Sequence, residues 1–229
     1  MTLLTSDRGV ISAYAAGAHS IKSKKGAATG LLSYADFTVE KKGEYLRIIE
    51  ASPIKVFFGV GNDAAALALS HYFCELCLYI SPPEGESGNV LRLILNSLYF
   101  ITNDKRDLYL IKAITELRLA SVSGYMPDLV ACSVCGKYDD DIMYFCPENG
   151  ALLCRECRAD NNCLCVGKTL VKAMRHIVYS HFSKIYSFKI PHEEAVNLSS
   201  VTEKYIQIQT DHKFKTLEFF KSLSRGITL

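Results

Sequence analysis

Apolar and polar positions fall into successive patterns along this 229-residue chain. From residue 10 to residue 58 the apolar runs are short and rich in β-branched and aromatic side chains. Residues 10–16, 31–39, 45–50 and 54–58 read as strands, separated by turn signals at Gly26, Gly30 and Lys42-Gly43 and by Pro53. Short strands with basic turns suit a small barrel. At Gly61-Asn62-Asp63 the period changes. Leu69, Tyr72, Phe73, Leu76 and Ile80 recur at helical spacing, Asn62 or Asp63 can cap the first turn, and Ser81-Pro82-Pro83 ends the run. Residues 85–88 form a polar link. Residues 90–101 are almost wholly apolar and predict a helix buried on most sides. Asp104 can cap a third helix, with Leu108, Ile111, Ile114 (or Thr115) and Leu117 (or Arg118) on its face and Gly124 at its close. Helical patterning returns over residues 169–182, with Leu170, Met174, Ile177 and Val178 on one side. Ser200-Val201-Thr202-Glu203 reads as a capping box opening a last helix or helix pair.

Between the helical stretches, residues 128–166 concentrate cysteine. Cys132-x-x-Cys135 is followed, after eighteen residues, by Cys154-x-x-Cys157. Two residues between cysteines let a tight knuckle turn both thiolates toward one point, and two knuckles complete a tetrahedral shell with Zn–S distances of about 2.3 Å. Gly136 after the first pair and Asn149-Gly150 before the second supply the turns, and residues 143–145 and 151–153 can form a short ribbon between them. Four cysteines leave no open coordination position, so the expected ion is one structural Zn2+ held by Cys132, Cys135, Cys154 and Cys157. The bland alternative is a set of buried free thiols. Cys146, Cys163 and Cys165 stand close enough in sequence to replace a ligand. Cys74-x-x-Cys77 has knuckle spacing but sits mid-helix, where the two share a face and read as small core groups; a second metal or redox site is the alternative.

Composition and charge sharpen this picture. With 49% hydrophobic and 22% charged residues, the chain is globular in type. No uncharged apolar run approaches the roughly 18 residues of a membrane span, and residues 1–9 lack a signal-peptide pattern. The expectation is therefore a cytoplasmic protein with no membrane partner, whose thiols stay reduced and serve metal or redox sites in preference to a disulfide framework. The net charge of +2 is unevenly spread: residues 1–60 carry eight Lys/Arg against five Asp/Glu, residues 61–167 eight against fourteen, and residues 168–229 ten against five. Basic flanks around an acidic middle permit attraction to nucleic-acid phosphates at either end.

Other motifs fall short of catalysis. Gly167-Lys168-Thr169 opens a helix like the end of a phosphate loop, but Asn162 stands where that loop needs glycine. Gly59-Val60-Gly61 lacks the acidic partner of a dinucleotide site and reads as a domain link. His176 and His181 are five apart, about 140° around a helix. Asp139-Asp140-Asp141 reads as a solvated turn. No Ser/His/Asp set or carboxylate pair announces a catalytic centre, so neither an enzyme nor a small-molecule substrate is expected.

Several stretches, in order, resemble the RecO family of bacterial recombination and repair mediators. They are Leu3-Leu4-Thr5 with Gly9, then Ile11-Ser12-Ala13-Tyr14-Ala15-Ala16-Gly17-Ala18 with the basic Lys22-Ser23-Lys24 turn. Gly124-Tyr125-Met126-Pro127-Asp128-Leu129 follows, ahead of the first knuckle. Then come Phe145-Cys146-Pro147-Glu148-Asn149-Gly150 before the second, and Lys215-Thr216-Leu217-Glu218-Phe219-Phe220. The resemblance implies an α+β chain: an OB-fold-like barrel over residues 1–60, a helical domain over 61–127 and 167–229, and a zinc ribbon inserted at 128–166. It implies binding of single- and double-stranded DNA, strand annealing, and work with RecR to load RecA onto single strands coated by single-strand-binding protein (SSB), in the nucleoid. Family members have a further strand and turn before the segment that starts here at Met1. With three or four strands legible where an OB barrel needs about five, the barrel is expected to be incomplete, open-edged or completed by another chain. Ala16 and His19-Ser20 also thin the basic turn.

On an OB-type surface, cations and stacking rings hold the strand. The candidates are Arg8, Lys22, Lys24, Lys25 and Arg47, with Tyr14, Tyr34 or Tyr45 as stackers; Lys41-Lys42 reads as a solvated turn within reach of phosphate. Lys168, Lys172 and Arg175 offer a second track. Two other classes compete. A zinc-ribbon-bearing deacetylase or nucleotide kinase needs phosphate-binding glycine loops that this chain lacks. A truncated, DNA-incompetent relative would bind RecR or SSB through the helical domain.

Overall fold

A computed structural model describes residues 1–17, 26–81, 87–104, 106–158 and 162–224. The fold is mixed α and β, and the chain divides into two compact units: Met1–Lys105 with Thr216–Leu229, and Arg106–Lys215.

The first unit begins with a four-stranded sheet of order β1-β2-β4-β3, formed by β1 (Thr2–Thr5), β2 (Gly9–Tyr14), β3 (Ser33–Lys42) and β4 (Tyr45–Val56). β1 is a strand that the hydrophobic pattern alone leaves unassigned. β1 and β2 are antiparallel, β3 and β4 form a hairpin, and a short parallel pairing of Ala13 with Leu46 and Tyr14 with Arg47 joins the two pairs. Gly43, with φ +64°, makes the tight turn between Lys42 and Tyr45. Residues 45–50 and 54–58, expected as two strands, are one strand as far as Val56, running through Pro53. Its ring sits beside a register shift opposite Ala35, where a missing N–H does least harm. Leu3, Ala13 and Ile48 form the buried centre, with Ile11, Phe37, Val39 and Leu46 packed on it.

A short 3₁₀ turn over Phe58–Asn62 leads into α1 (Ala64–Ile80). Asp63 caps α1 by accepting from the N–H groups of Ala65 (2.8 Å) and Ala66 (3.2 Å). Leu69, Tyr72, Phe73, Leu76 and Ile80 are buried, as their spacing predicts. Of the Cys74/Cys77 pair, only Cys77 packs in the core; burial, followed by the neighbouring Cys74, pushes its thiol up to about 12 despite a bond from Ser81. Cys74 is exposed, because three residues along a helix turn about 300° and leave it at the edge of the apolar stripe. α2 (Ser87–Asn103) also departs from expectation. It buries one stripe, Val90, Leu93, Ile94, Ser97 and Leu98, while Tyr99 stands exposed with Lys55 over its ring. Ser87 accepts from the Gly9 N–H at 2.8 Å, fastening the β1–β2 turn to α2. α6 (Lys215–Ser224) is tied to α1 by Glu75, whose carboxylate accepts from both the N–H and the hydroxyl of Thr216.

The second unit is built around α3 (Leu108–Val122). Asp107, not Asp104, caps it, accepting from Tyr109 N at 2.8 Å and Leu110 N at 3.3 Å; the Asp104 N–H instead bonds back to the Phe100 carbonyl of α2. Every residue from Leu110 to Leu117 is buried, so α3 has no solvent face over two turns. The elements α4 (Lys168–Tyr179) and α5 (His192–Thr210) pack against it. The expected capping box at residues 200–203 lies inside α5. Thr202 turns its hydroxyl to the Glu116 carboxylate (2.6 Å) and Ser200 bonds back to the Val196 carbonyl (3.1 Å), so neither frees a helix end. The second sheet has the order β5-β7-β6-β8: β5 (Asp128–Cys132), β6 (Ile142–Cys146), β7 (Ala151–Cys154) and β8 (Leu164–Gly167). The β6–β7 pairing is the short ribbon expected from the sequence, and α4 packs against this sheet.

Candidate metal centre and basic surfaces

Both knuckles sit at strand ends. Cys132 closes β5, and the turn after it folds back by bonds from Gly136 N to Cys132 O and from Cys132 N to Lys137 O, both 2.9 Å, with Gly136 at φ +74°. Cys154 closes β7, and Cys157 N bonds to Cys154 O at 3.2 Å. Because β5 and β7 are neighbours, the two turns meet at one end of the sheet. The four Sγ atoms of Cys132, Cys135, Cys154 and Cys157 lie within 4.8 Å of one another, and those of Cys135 and Cys154 are 3.7 Å apart. A tetrahedron with arms of about 2.3 Å has edges of about 3.8 Å.

The protonation chemistry also fits a cation. Burial alone would raise the Cys132 thiol, but backbone N–H groups of Cys135, Cys154 and Val134 bring it down to about 6. The Cys135 thiol, followed by Cys154, pushes Cys157 up to about 12. For Cys135 the Lys137 N–H favours the thiolate, yet Cys132 and Cys154 outweigh it and the shift is upward. One thiolate is favoured and its neighbours resist joining it. A bound divalent ion removes that conflict, letting all four deprotonate and ligate. These four residues could therefore hold a metal ion.

Two α4 side chains, one turn apart, fix the position of β5. The Tyr179 hydroxyl accepts from Leu129 N at 2.9 Å, and Arg175 Nε donates to Leu129 O at 2.7 Å. Arg175 Nη2 also donates to Val130 O (3.0 Å) and Tyr138 O (2.5 Å), and the guanidinium lies 4.2 Å from the Tyr138 ring centroid. At the far end of β6–β7, Gly150 has φ +66° and a Cβ there would crowd its neighbours, standing 3.0 Å from the Tyr205 hydroxyl and 3.2 Å from Pro127 Cα.

The remaining cysteines between residues 128 and 166 are outside this group. Cys146 and Cys163 are joined to each other in a disulfide, and Cys165 is exposed on β8. Neither Cys146 nor Cys163 is thus a substitute ligand, and the expectation of wholly reduced thiols fails at this pair. Antiparallel register brings the two together, a pairing that no spacing rule signals.

The chain matches the family models described as Recombination protein O N terminal, over residues 1–57, and Recombination protein O C terminal, over residues 61–218. The chain belongs to the RecO family. Proteins named DNA repair protein RecO align with it along most of their length. That of Acetivibrio thermocellus is 29% identical over 226 residues, covering 98% of this chain and 90% of the relative. That of Dehalococcoides mccartyi strain CBDB1 is 29% identical over 224 residues, covering 97% and 88%. That of Caldicellulosiruptor bescii is 27% identical over 221 residues, covering 96% and 90%.

The cations proposed from the RecO resemblance fall in separate places. Arg8 lies at the β1–β2 turn, exposed and 3.7 Å from Asp7. Arg47 is opposite Tyr14 on β2 and Glu40 on β3; Tyr45, two residues away on β4, shares its face with Lys42 opposite. Tyr14 and Tyr45 are 63% and 52% exposed, so this face presents two rings beside cations to solvent. Tyr34 is half-buried. Lys22, Lys24 and Lys25 lie outside the described residues. In the second unit, Lys172 is exposed on α4, Lys168 is paired with Asp139 at 3.0 Å, and Arg175 is engaged by β5 as above. The Lys168 ammonium holds the Asp139 carboxyl below its usual range. Lys137 is similarly paired with Asp140 at 2.9 Å, so the acidic turn is answered by lysines. Among the described residues, no helix is long and apolar enough to cross a membrane.

Proposed function

We propose that this RecO-family chain is a DNA-repair mediator. It binds single- and double-stranded DNA, anneals complementary strands, and helps RecR load RecA onto strands coated by SSB, without covalent chemistry, in the nucleoid of the cytoplasm. The observation that carries this reading is the exposed face of the first sheet, where Tyr14, Arg47 and Tyr45 stand side by side. Rings stack on bases and the guanidinium meets phosphate, a combination that suits single strands of any sequence. The sheet serves in this proposal as an OB-type surface, with Arg8, Lys22, Lys24 and Lys25 as further cations for phosphate. Residues 128–166 serve as a zinc ribbon, with one Zn2+ on Cys132, Cys135, Cys154 and Cys157. The ion's part is structural: it locks the ends of β5 and β7 together, and this chain's own side chains make every contact with DNA.

The test is fluorescence anisotropy with a labelled single strand across a salt series. Affinity should fall steeply with salt. Reversing Lys22, Lys24 and Lys25 to Glu, or replacing Tyr14 and Arg47 with Ala, should weaken binding about tenfold or more at low salt and flatten the salt slope. Salt-independent binding would remove this face from the proposal. A second reading, an interaction protein that meets RecR or SSB through its helical part, gains support from the second unit, where Lys168 and Arg175 are already paired. Gel shifts that fail beside pulldowns that succeed would favour it.

A further inference from the structure

We propose that Cys146 and Cys163 form a reversible redox latch, a modification site at which a peroxide closes, and a dithiol reopens, a covalent clamp between β6 and β8. The ladder between these strands runs Ile142 with Gly167, Met143 with Val166, Tyr144 with Cys165 and Phe145 with Leu164. One further step places Cys146 opposite Cys163. Their Cα atoms are 4.2 Å apart, near the roughly 4.5 Å of directly opposed antiparallel residues that do not exchange backbone hydrogen bonds. The main chain therefore holds the two sulphurs together before any bond forms between them. Both residues are buried, while Cys165, on the same face of β8, is exposed.

Three features make this pair a switch and not a staple. Four ladder pairs already hold β8 on β6, so opening the bond leaves the strand in place. The pair is distinct from the four clustered thiols, so closing it consumes none of them. The clamp also acts on a strand with something attached. β8 supplies Leu164 and Cys165 to one wall of an open groove of about 580 Å³, faced by Asn197, Ser200 and Lys204 of α5, and it runs directly into α4 at Lys168. Closing the latch fixes that wall and the start of α4.

The chemistry balances. Two thiols and one hydrogen peroxide give one disulfide and two waters: the O–O bond breaks, the S–S bond forms, and each sulphur gives up one electron and one proton. In the reverse direction a dithiol becomes its own disulfide and returns both protons and both electrons to Cys146 and Cys163.

The test uses the full chain as purified, reduced with dithiothreitol and desalted. It is treated with one equivalent of hydrogen peroxide, alkylated after denaturation and mapped by mass spectrometry, with metal content measured before and after. The expected first product has lost two alkylatable thiols, yields the Cys146–Cys163 linked peptide, keeps its metal content, and reverts with dithiothreitol. Amide exchange over residues 164–167 should slow several-fold in the oxidised form, and Cys163→Ser should show neither effect. Peroxide that first links any of Cys132, Cys135, Cys154 or Cys157, or that leaves Cys146 and Cys163 alkylatable, overturns the latch. The metal content of untreated protein reports on the metal reading separately.

Discussion

Arg175 of α4 stands over the Tyr138 ring while its N–H groups donate to the carbonyls of Leu129, Val130 and Tyr138. The relationship fastens an edge strand and the first knuckle to a helix through one side chain. A planar, five-donor guanidinium can do this, and a lysine cannot. Arg175→Ala should therefore destabilise the protein by about 1–2 kcal/mol in urea melts, because it removes three hydrogen bonds from a charged donor, one of them to the part-buried Leu129 carbonyl. Lys172→Glu, on the same helix but exposed, should change stability by less than about 0.5 kcal/mol. In an anisotropy titration, Lys172→Glu should weaken DNA binding. Stability losses of equal size in the two variants would contradict the separation.

A second prediction concerns the core of the second unit. Lys112, 1% exposed, meets Glu116 at 3.0 Å and Glu203 at 3.2 Å, and bonds Ser199; Thr202 completes Glu116. Lys112→Ala strands a buried carboxylate and should lose about 3–5 kcal/mol, whereas the double change Lys112→Met with Glu116→Leu should be far milder. Denaturant midpoints of the single and double variants decide it.

Alkaline pH offers a third. Burial pushes the Tyr205 phenol up to about 12, and its hydroxyl donates to the Tyr125 carbonyl at 2.8 Å. The folded value is above the roughly 10 of an unfolded tyrosine. Its contribution is thus fully present below pH 10 and lost as pH rises through 12. Tyr205→Phe should lose about 1 kcal/mol at pH 8. The gap between variant and wild type should narrow at pH 11, measured by urea melts at both values.

Much of this molecule is legible in its sequence where a local rule suffices. Cys-x-x-Cys spacing with Gly136 and Gly150 marks both knuckles, and Leu69 to Ile80 marks α1, with the observed cap Asp63 one of the two read ahead of it. Legibility ends where a distant partner decides. Asp104 reads as the cap of α3, yet it is Asp107 that stands where α3 begins. Thr202 looks like the start of a helix until Glu116 claims its hydroxyl from another helix. Arg175 reads as a free cation on an amphipathic helix, and its engagement depends on β5 lying beside α4. Cys146 and Cys163 read as spare ligands because their opposition exists only in the β6–β8 register.

If the two knuckles close on a single ion, elemental analysis of the purified chain beside Cys154→Ser reads that ion out. About one zinc per chain in the wild type, falling close to none in the variant together with a lower melting temperature, is the predicted result. A wild-type chain with no stoichiometric transition metal, or a variant that keeps its full complement, would contradict it.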